Sequence, residues 1–180
     1  MTGTRSLSTL ATSIHVMTEY SLRPATDDDV EAIATVWHAG WPDGHLGNVP
    51  DELVNHRRRH ADFVQLVIPR IATTTVATTN GVAGFITIND DEVEEVYVAQ
   101  SARGGGVAAA LLSHAEATIS ERFDLAWLAV VAGNARARRF YDRQGWRDAG
   151  PFDYFAEIDG GRFAVPCHRY EKRLTSSRHS

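Results

Sequence analysis

The sequence predicts a mixed α/β fold in which helices flank a mostly antiparallel sheet, and two stretches carry this prediction. The dipeptide Asn80-Gly81 separates two β-prone runs, which is the pattern of a β-hairpin with a type I′ turn. Farther along, residues 96–112, VYVAQSARGGGVAAALL, pass from an apolar alternation through three glycines into an alanine-rich helical pattern. A strand that closes an antiparallel meander and then leads into a helix indicates a sheet of mixed direction.

Before the hairpin the chain predicts one strand and two helices, at 20–23, from Thr26 to about Gly40, and from about Pro50 to His60. Thr26 is a favourable N-cap and is followed by acidic residues, which the helix dipole favours in a first turn. Proline suits a helix start because its missing N–H would be unpaired there. We expect residues 41–47, which include Gly, Pro and Asp, to form the loop between these helices.

From the hairpin onward, strands and helices alternate. The predicted strands lie at 71–79, 82–88, 92–98, 125–131, 146–149, 152–158 and 162–170, and the predicted helices at 106–120 and 134–144. Residues 125–131 are almost wholly apolar, as in a strand that is covered on both faces. Gly145 is suited to a left-handed cap at the end of the second of these helices.

The composition fits one globular domain, since 43% of the 180 residues are apolar. The net charge of −5 argues against a nucleic-acid partner. The single cysteine, Cys167, excludes an internal disulfide and fits a reducing compartment, so we expect a cytoplasmic protein. No apolar run approaches the roughly 20 residues that span a bilayer, so no membrane partner is expected.

The two ends of the chain differ in composition from the rest. Residues 1–17 are rich in Ser and Thr and contain no acidic residue, so we expect a disordered N-terminal extension. The folded domain is expected to occupy residues 18–174, and residues 175–180 to form a C-terminal tail.

The glycines Gly104, Gly105 and Gly106 predict an anion site at the start of the helix that follows them. The first N–H groups of a helix lack partners and carry the positive end of its dipole, and glycine lets a phosphate approach them. Arg103 adds a charged donor. A dinucleotide-binding turn fits poorly because the next strand ends without an acidic residue, and a P-loop lacks its Gly-Lys-Ser/Thr. A flexible turn that only allows close helix packing is the remaining alternative.

Two motifs, in order along the chain, resemble those of the GCN5-related N-acetyltransferases, the GNAT superfamily. Residues 103–108, RGGGVA, are similar to the family's Arg/Gln-x-x-Gly-x-Gly/Ala signature, and residues 134–141, NARARRFY, with Gly145-Trp146, are similar to its second motif. The resemblance covers about residues 20–174 and implies a sheet of about seven strands with about four helices. It also implies that acetyl-CoA binds between the fourth and fifth strands, and that an acetyl group passes to a primary amine of a small molecule or protein.

The resemblance also implies roles for individual residues. The cofactor would contact Val96, Tyr97, Val98, Arg103, Gly104, Gly105, Gly106, Val107, Ala108, Asn134 and Ala137. The loop would bind the pyrophosphate through backbone N–H groups, and the strand and Asn134 would bind the pantetheine arm. Tyr141 matches the tyrosine that protonates the departing sulfur, although a core aromatic is the alternative for it, and the N–H of Val98 would stabilise the oxyanion.

The general base is left open. Many members of the family have a glutamate five residues before the motif asparagine, where this chain has Ala129. Attention therefore moves to Glu92, Glu94 and Glu95 on the preceding strand. Glu92 aligns best with the base of the histone-acetylating members, and Glu94 lies nearer the presumed acyl group, so these two are our candidates. A solvated strand edge is the alternative for any of them.

The predicted positions of these glutamates depend on regular alternation of strand side chains. Alternation places Glu92 and Glu94 on the face of Val96 and Val98, and Glu95 on the opposite face.

For the acceptor amine, the family's equivalent regions suggest Trp41 and His45, with Asp43, in the first interhelical loop, and Tyr154, with Phe155, on the last hairpin. Loop packing is the alternative for these side chains. No metal is expected, because His56 and His60 lack a third ligand and lie among arginines.

We expect an enzyme that is a monomer or a homodimer. A non-catalytic acyl-CoA-binding sensor of the same fold is the alternative function.

Overall fold

The computed structural model of the protein describes residues 19–158 and 160–175. The predicted extension at 1–17, the start of the domain at 18 and all but the first residue of the tail at 175–180 lie outside the described residues. These boundaries stay predictions.

Seven strands form one sheet in the order β1-β2-β3-β4-β5-β7-β6. The strands are β1 (Ser21–Pro24), β2 (Thr74–Thr78), β3 (Val82–Asn89), β4 (Glu92–Val98), β5 (Leu125–Val131), β6 (Arg147–Ile158) and β7 (Gly161–Arg173). All neighbours are antiparallel except β4 and β5, which are parallel. The predicted mixed, mostly antiparallel sheet is confirmed.

Five α-helices pack on the sheet, against about four expected. They are α1 (Val30–His45), α2 (Asp51–Asn55), α3 (His60–Val67), α4 (Val107–Ser120) and α5 (Ala135–Arg143). Helices α1 to α3 bury residues such as Trp37, Leu53 and Phe63 in one core, and α4 and α5 bury residues such as Leu111 and Tyr141 in the other. The sheet therefore has one helical layer on each face.

Helix α1 is longer than predicted, so the expected loop at 41–47 is wrong for most of its length. The helix continues through Pro42 to His45. Trp41 is only 5% exposed and continues the apolar face that includes Trp37, so its burial favours the helix beyond Gly40. Proline removes one N–H, but its own carbonyl still accepts the N–H of Leu46 at 3.1 Å.

The expected helix from Pro50 to His60 is wrong in its second half. The chain leaves α2 after Asn55, and His60 begins α3 instead of ending a helix. Asp62 accepts the backbone N–H of Arg59 at 2.9 Å, and its carboxylate also pairs with the Arg59 side chain. This local capping starts a new helix inside what the sequence suggested was one.

Two turns also differ from the expectation. The Asn80-Gly81 hairpin is present, but Asn80 does not have the positive φ of a type I′ turn, whereas Asp90 in the next hairpin does, at 53°. Strand β6 runs unbroken through Gly150, where two strands were predicted. A register shift and a positive φ of 114° at Gly150 absorb the irregularity as a bulge.

Candidate active site

A cleft opens in the middle of the sheet, between β4 and β5. The two parallel strands pair at one position only, Glu92 with Trp127, where the N–H of Trp127 donates to the carbonyl of Asp91 at 3.0 Å. Beyond that pair, no ladder joins β4 and β5 among the described residues. The cleft is therefore closed beside Glu92 and open toward the carboxyl ends of both strands, which is a common ligand position in α/β sheets.

The edge of β4 that faces this cleft carries free backbone groups. The N–H of Ala99 donates to the carbonyl of Ala83 in β3 at 2.8 Å. Since successive N–H groups of a strand point to opposite edges, those of Val98 and Val96 point into the cleft. The carbonyl of Val98 accepts a long bond from the Arg103 side chain there, at 3.5 Å. An extended ligand can hydrogen-bond to this edge as a strand would.

The glycine loop forms one end of a groove of about 430 Å³ that follows the open part of the cleft. Gly106 is the N-cap of α4 and has a φ of 82°, and Gly104 has a φ of 80°. A Cβ at Gly104 would meet nothing within 4 Å, and one at Gly106 only the Tyr20 hydroxyl at 3.9 Å. The cradle at the start of α4 is therefore open to an anion.

The groove brings together nearly all of the predicted cofactor residues. Val96, Tyr97, Val98, Arg103, Gly104, Gly106, Val107, Ala108, Asn134 and Ala137 line it, whereas Gly105 does not. Gly105 faces a separate depression near the β2–β3 turn. Its φ is not in the left-handed region.

Arg103 has a second partner that the sequence did not suggest. Its guanidinium forms an ion pair with Asp43 of α1, with Nη2 and Oδ2 2.7 Å apart, and both residues line the groove. Asp43 was expected beside the acceptor, but the structure places it on the cofactor side.

Three groove residues on α5 were missed by the sequence reasoning. Arg136, Phe140 and Arg143 all line the groove. Their spacing of four and then three residues puts them on one face of a helix, and this pattern in the motif could have identified them. The two arginines add positive charge along the wall opposite the glycine loop, which suits a ligand with several phosphates.

A second cavity of about 350 Å³ lies on the α1–α3 side of the sheet, and we call it the acceptor cavity. It lies between β4, β5, the β6–β7 hairpin and the helical layer. The residues that line both the groove and the acceptor cavity are His45, Val96, Tyr97, Asn134, Ala137 and Tyr141. The two spaces therefore meet at these residues, and a reaction between their occupants would take place there.

Tyr141 lies at this junction. Its side chain is 8% exposed and packs against Phe140 and Trp146, with ring centroids 5.2 and 6.2 Å away. Its hydroxyl has no hydrogen-bond partner among the described residues. Burial, together with the nearby Glu95 carboxyl, raises the pKa of Tyr141 far above its usual value, so the hydroxyl keeps its proton at neutral pH.

A β-bulge in β4 changes the predicted placement of the glutamates. Glu95 pairs with Thr87, and Val93 pairs with the adjacent residue of β3, so Glu94 is an extra residue without a partner. The alternation predicted from the sequence is therefore wrong upstream of Glu94. Val93 lies in the same core as Val96, and Glu92 lines the acceptor cavity instead of facing that core.

The three carboxyls differ in their surroundings. Glu94 is tied to Arg70, whose Nε and Nη2 both donate to its Oε1, at 3.0 and 2.9 Å. Burial raises the pKa of Glu95 to about 8, and Glu94 adds to this effect. Burial also raises the pKa of Glu92 to about 7, against a smaller opposing effect of the Tyr154 hydroxyl. Two carboxyls in one cavity thus titrate near neutral pH.

Asn134 serves as the N-cap of α5. Its Oδ1 accepts the backbone N–H of Ala137 at 3.1 Å. Its amide nitrogen lies against α1, where a Cβ at Gly44 would come within 2.5 Å of Nδ2. Glycine at 44 therefore lets the end of α1 approach the start of α5, and this contact bounds the junction of the two spaces.

The predicted acceptor residues Trp41, His45 and Tyr154 all line the acceptor cavity. The His45 ring stacks on Trp41 with centroids 4.5 Å apart, and its Nδ1 lies 2.8 Å from the Trp41 carbonyl. A carbonyl only accepts, so Nδ1 carries the proton. Burial lowers the pKa of His45 to about 4, so the ring is neutral. Phe155 also lines this cavity but is 58% exposed.

No cluster of metal-binding side chains occurs in residues 19–158 and 160–175. Of the two histidines that were considered, His60 contacts Thr35, with Nε2 3.1 Å from its hydroxyl. Within the same residues, no helix has both the length and the apolar character needed to cross a bilayer.

Comparison with known proteins connects this geometry to a family. A model of the acetyltransferase (GNAT) family matches residues 32–146, more than half of the chain. The comparison with curated proteins found no match.

Solved structures of low sequence identity share the fold. A GCN5-related N-acetyltransferase from Rhodopseudomonas palustris superposes with a TM-score of 0.68 at 20% identity, covering 88% of this chain and 98% of that one. The PaiA N-acetyltransferase from Thermoplasma acidophilum, in complex with coenzyme A, gives 0.67 at 18% identity, covering 87% and 99%. YncA, a putative acetyltransferase from Salmonella typhimurium with acetyl-CoA, gives 0.63 at 17% identity, covering 90% and 98%.

A sheet that opens between two parallel strands, with a glycine-rich helix start in the opening, is the architecture of an acetyltransferase. The chain belongs to the acetyltransferase (GNAT) family, as its two motifs predicted. It is therefore an enzyme, and the predicted cofactor, acetyl-CoA, is confirmed by its membership of the family.

Proposed function

We propose that the protein transfers the acetyl group of acetyl-CoA directly to a primary amine of a small molecule. One observation carries this proposal: a groove with an anion cradle and an enclosed cavity with two buried carboxyls meet at Tyr141. The cavity volume of about 350 Å³ suits a small acceptor better than a folded protein surface. An exposed protein terminus threaded into the cavity is the second candidate.

The groove residues fit acetyl-CoA. The N–H groups at the start of α4, together with Arg103, would bind the pyrophosphate, and Arg136 and Arg143 would bind further phosphate oxygens. The edge of β4 at Val96 and Val98 would bind the amide-containing arm. Bound there, acetyl-CoA supplies a thioester whose C–S bond breaks as the new C–N bond to the amine forms.

The chain's own groups would handle the protons. Glu95 is the favoured proton acceptor, because it lies beside Tyr141 and burial holds its pKa near 8. Glu94 is a weaker base than the sequence suggested, since Arg70 stabilises its ionised form. Glu92 remains the alternative base. Tyr141 keeps its proton and would donate it to the departing sulfur, and the N–H of Val98 would stabilise the developing oxyanion.

A substitution in the glycine loop tests the cofactor assignment. Gly106→Ala is expected to weaken coenzyme A binding by about tenfold or more, because a Cβ at a φ of 82° strains the N-cap whose N–H groups face the ligand. Gly105→Ala is the matched control. It is expected to weaken binding less, since its Cβ would meet only the Ala102 carbonyl, at 3.5 Å. Calorimetric dissociation constants for coenzyme A, with melting temperatures for both variants, make the comparison.

A non-catalytic acyl-CoA sensor is the competing function. Incubation with acetyl-CoA and a panel of primary amines should release free thiol in proportion to the acetylated amine formed. Binding of acetyl-CoA by calorimetry with no thiol release from any amine would favour the sensor. Loss of both signals would reject the cofactor assignment as well.

For its location, we propose the cytoplasm. The single cysteine, Cys167, is buried and its pKa is raised by burial to about 12, so it is an unreactive thiol that needs no oxidising compartment.

A further inference from the structure

Glu92 carries a buried oxygen that nothing in the described residues satisfies. The side chain is 9% exposed, and its Oε1 is buried without a hydrogen-bond partner. Buried polar atoms in folded proteins almost always have partners, so an orphan that lines a cavity points to a missing ligand. Glu92 lines the acceptor cavity at the closed end of the β4–β5 cleft, beside its pairing with Trp127.

The charges around the cavity leave a negative excess inside it. The charged residues that line it are Glu92, Glu94, Glu95 and Glu157, with Arg57, Arg70 and Arg162. Arg70 is already shared between Glu94 and Glu157, at 2.9 and 3.1 Å. Arg57 donates to the backbone carbonyls of His56 and Glu157, and Arg162 lies on the exposed face of the hairpin.

The two remaining carboxyls have no counter-charge. Neither Glu92 nor Glu95 forms an ion pair within the part of the chain that the structure describes. Proton binding by Glu95 accounts for one of them, since deprotonation of the acceptor amine needs a single base. The second carboxyl is left without a task in acetyl transfer.

We propose that the acceptor is a diamine, whose distal ammonium group is bound by Glu92 while its reacting amine lies beside Glu95 and Tyr141. This proposal rests on the proposed function. Three residues of strand separate the two glutamates, about 10 Å along β4. An aliphatic chain of four or five carbons, with the glutamate side chains reaching inward, fits that separation. The aromatic ring of Tyr154 lines the space between β4 and β6 through which such a chain would pass.

The surroundings of Glu92 predict a proton change on binding. The groups that act on it are Tyr154 from β6, Arg169 from β7, and Glu94 and Asp91 from β4 and the turn before it. Burial leaves Glu92 partly protonated near neutral pH, and a bound ammonium group favours its ionised form. Binding of the diamine at pH 6.5 should therefore release protons, and binding at pH 8.5 should release fewer.

Three amines of similar length test the proposal: 1,4-diaminobutane, n-pentylamine and 4-aminobutanoate. With acetyl-CoA, the protein should acetylate the diamine with a kcat/KM about tenfold or more above that of n-pentylamine. In Glu92→Gln this ratio should fall toward one. Glu157→Gln, a carboxyl at the exposed rim of the same cavity, is the matched control and should keep the preference. Calorimetry without acetyl-CoA, in two buffers of different ionisation enthalpy, gives the affinity of the diamine and the protons released.

The other outcomes overturn the proposal. Equal rates for the diamine and n-pentylamine in the wild-type protein do so without any variant, and so does a preference for 4-aminobutanoate, which would indicate that the arginines read the acceptor. An unchanged preference in a folded Glu92→Gln protein removes Glu92 from recognition. Thiol release with n-pentylamine in these cases would leave the proposed acetyltransferase function intact, whereas failure to bind acetyl-CoA would reject that function itself.

Discussion

Tyr141→Phe is expected to lower kcat by about 100-fold or more, within the usual contribution of a general acid, while the affinity for acetyl-CoA changes little. The substitution removes the hydroxyl at the junction of the two cavities and keeps the ring between Phe140 and Trp146. Because burial keeps this hydroxyl protonated, its loss should leave the departing sulfur without a donor. Steady-state rates of thiol release, with calorimetric binding of acetyl-CoA, separate the two effects.

Tyr170→Phe is the matched control for this prediction. Tyr170 is a buried tyrosine of the same core, with its ring 6.0 Å from that of Tyr141, but it lines neither the groove nor the acceptor cavity. Its variant should retain the wild-type kcat. A Tyr141→Phe protein that is equally active would show that Tyr141 is only a core aromatic.

Glu95→Gln is expected to remove the acidic limb of the pH–rate profile. A raised pKa means that Glu95 is protonated below about pH 8, so kcat/KM of the wild-type protein should fall as the pH falls below that value. Glutamine cannot accept the proton, so the variant should be slow at every pH and should lack this titration. Profiles of kcat/KM between pH 5.5 and 9.5, with one acceptor amine throughout, make the comparison.

Two further measurements make this prediction specific. Glu94→Gln should keep the acidic limb, because Glu94 is held by Arg70. The sign of the stability change provides a second check. The folded protein binds a proton at Glu95 that the unfolded chain, with a normal carboxyl pKa, has already lost between about pH 4 and pH 8. Stability should therefore fall as the pH rises through that range, and Glu95→Gln should reduce the fall. Loss of the limb in Glu92→Gln instead would transfer the role to Glu92.

Local chemistry made much of the fold predictable. The bounds of β4 and β5 agree with the apolar runs at 92–98 and 125–131, and Asn134 and Gly145 mark the two ends of α5 as capping residues should. Errors arose where tertiary burial outweighed local signals. Pro42 indicates a break when the sequence is considered alone, but burial of Trp41 keeps the helix intact around it.

The acceptor side of the site was less predictable than the cofactor side. A glycine loop and a helix start bind a phosphate through backbone groups, so short motifs are enough to locate them. The faces of Glu92 and Glu95 depend on one extra residue in a strand, and nothing in the sequence EVEEVYV reports which residue bulges. The partners that distinguish these carboxyls, such as Arg70, come from a distant part of the chain.

The single pairing between β4 and β5 means that the sheet consists of two hydrogen-bonded blocks, β1–β4 and β5–β7, with a seam at the centre. The amides of Val96 and Val98 lie at the middle of a seven-stranded sheet but have the solvent exchange of an edge strand in the free protein. Slower deuterium uptake at these two amides after addition of acetyl-CoA would report that the seam is filled. The ligand-sensitive part of this molecule is then its geometric centre, while its outer strands keep the same protection throughout.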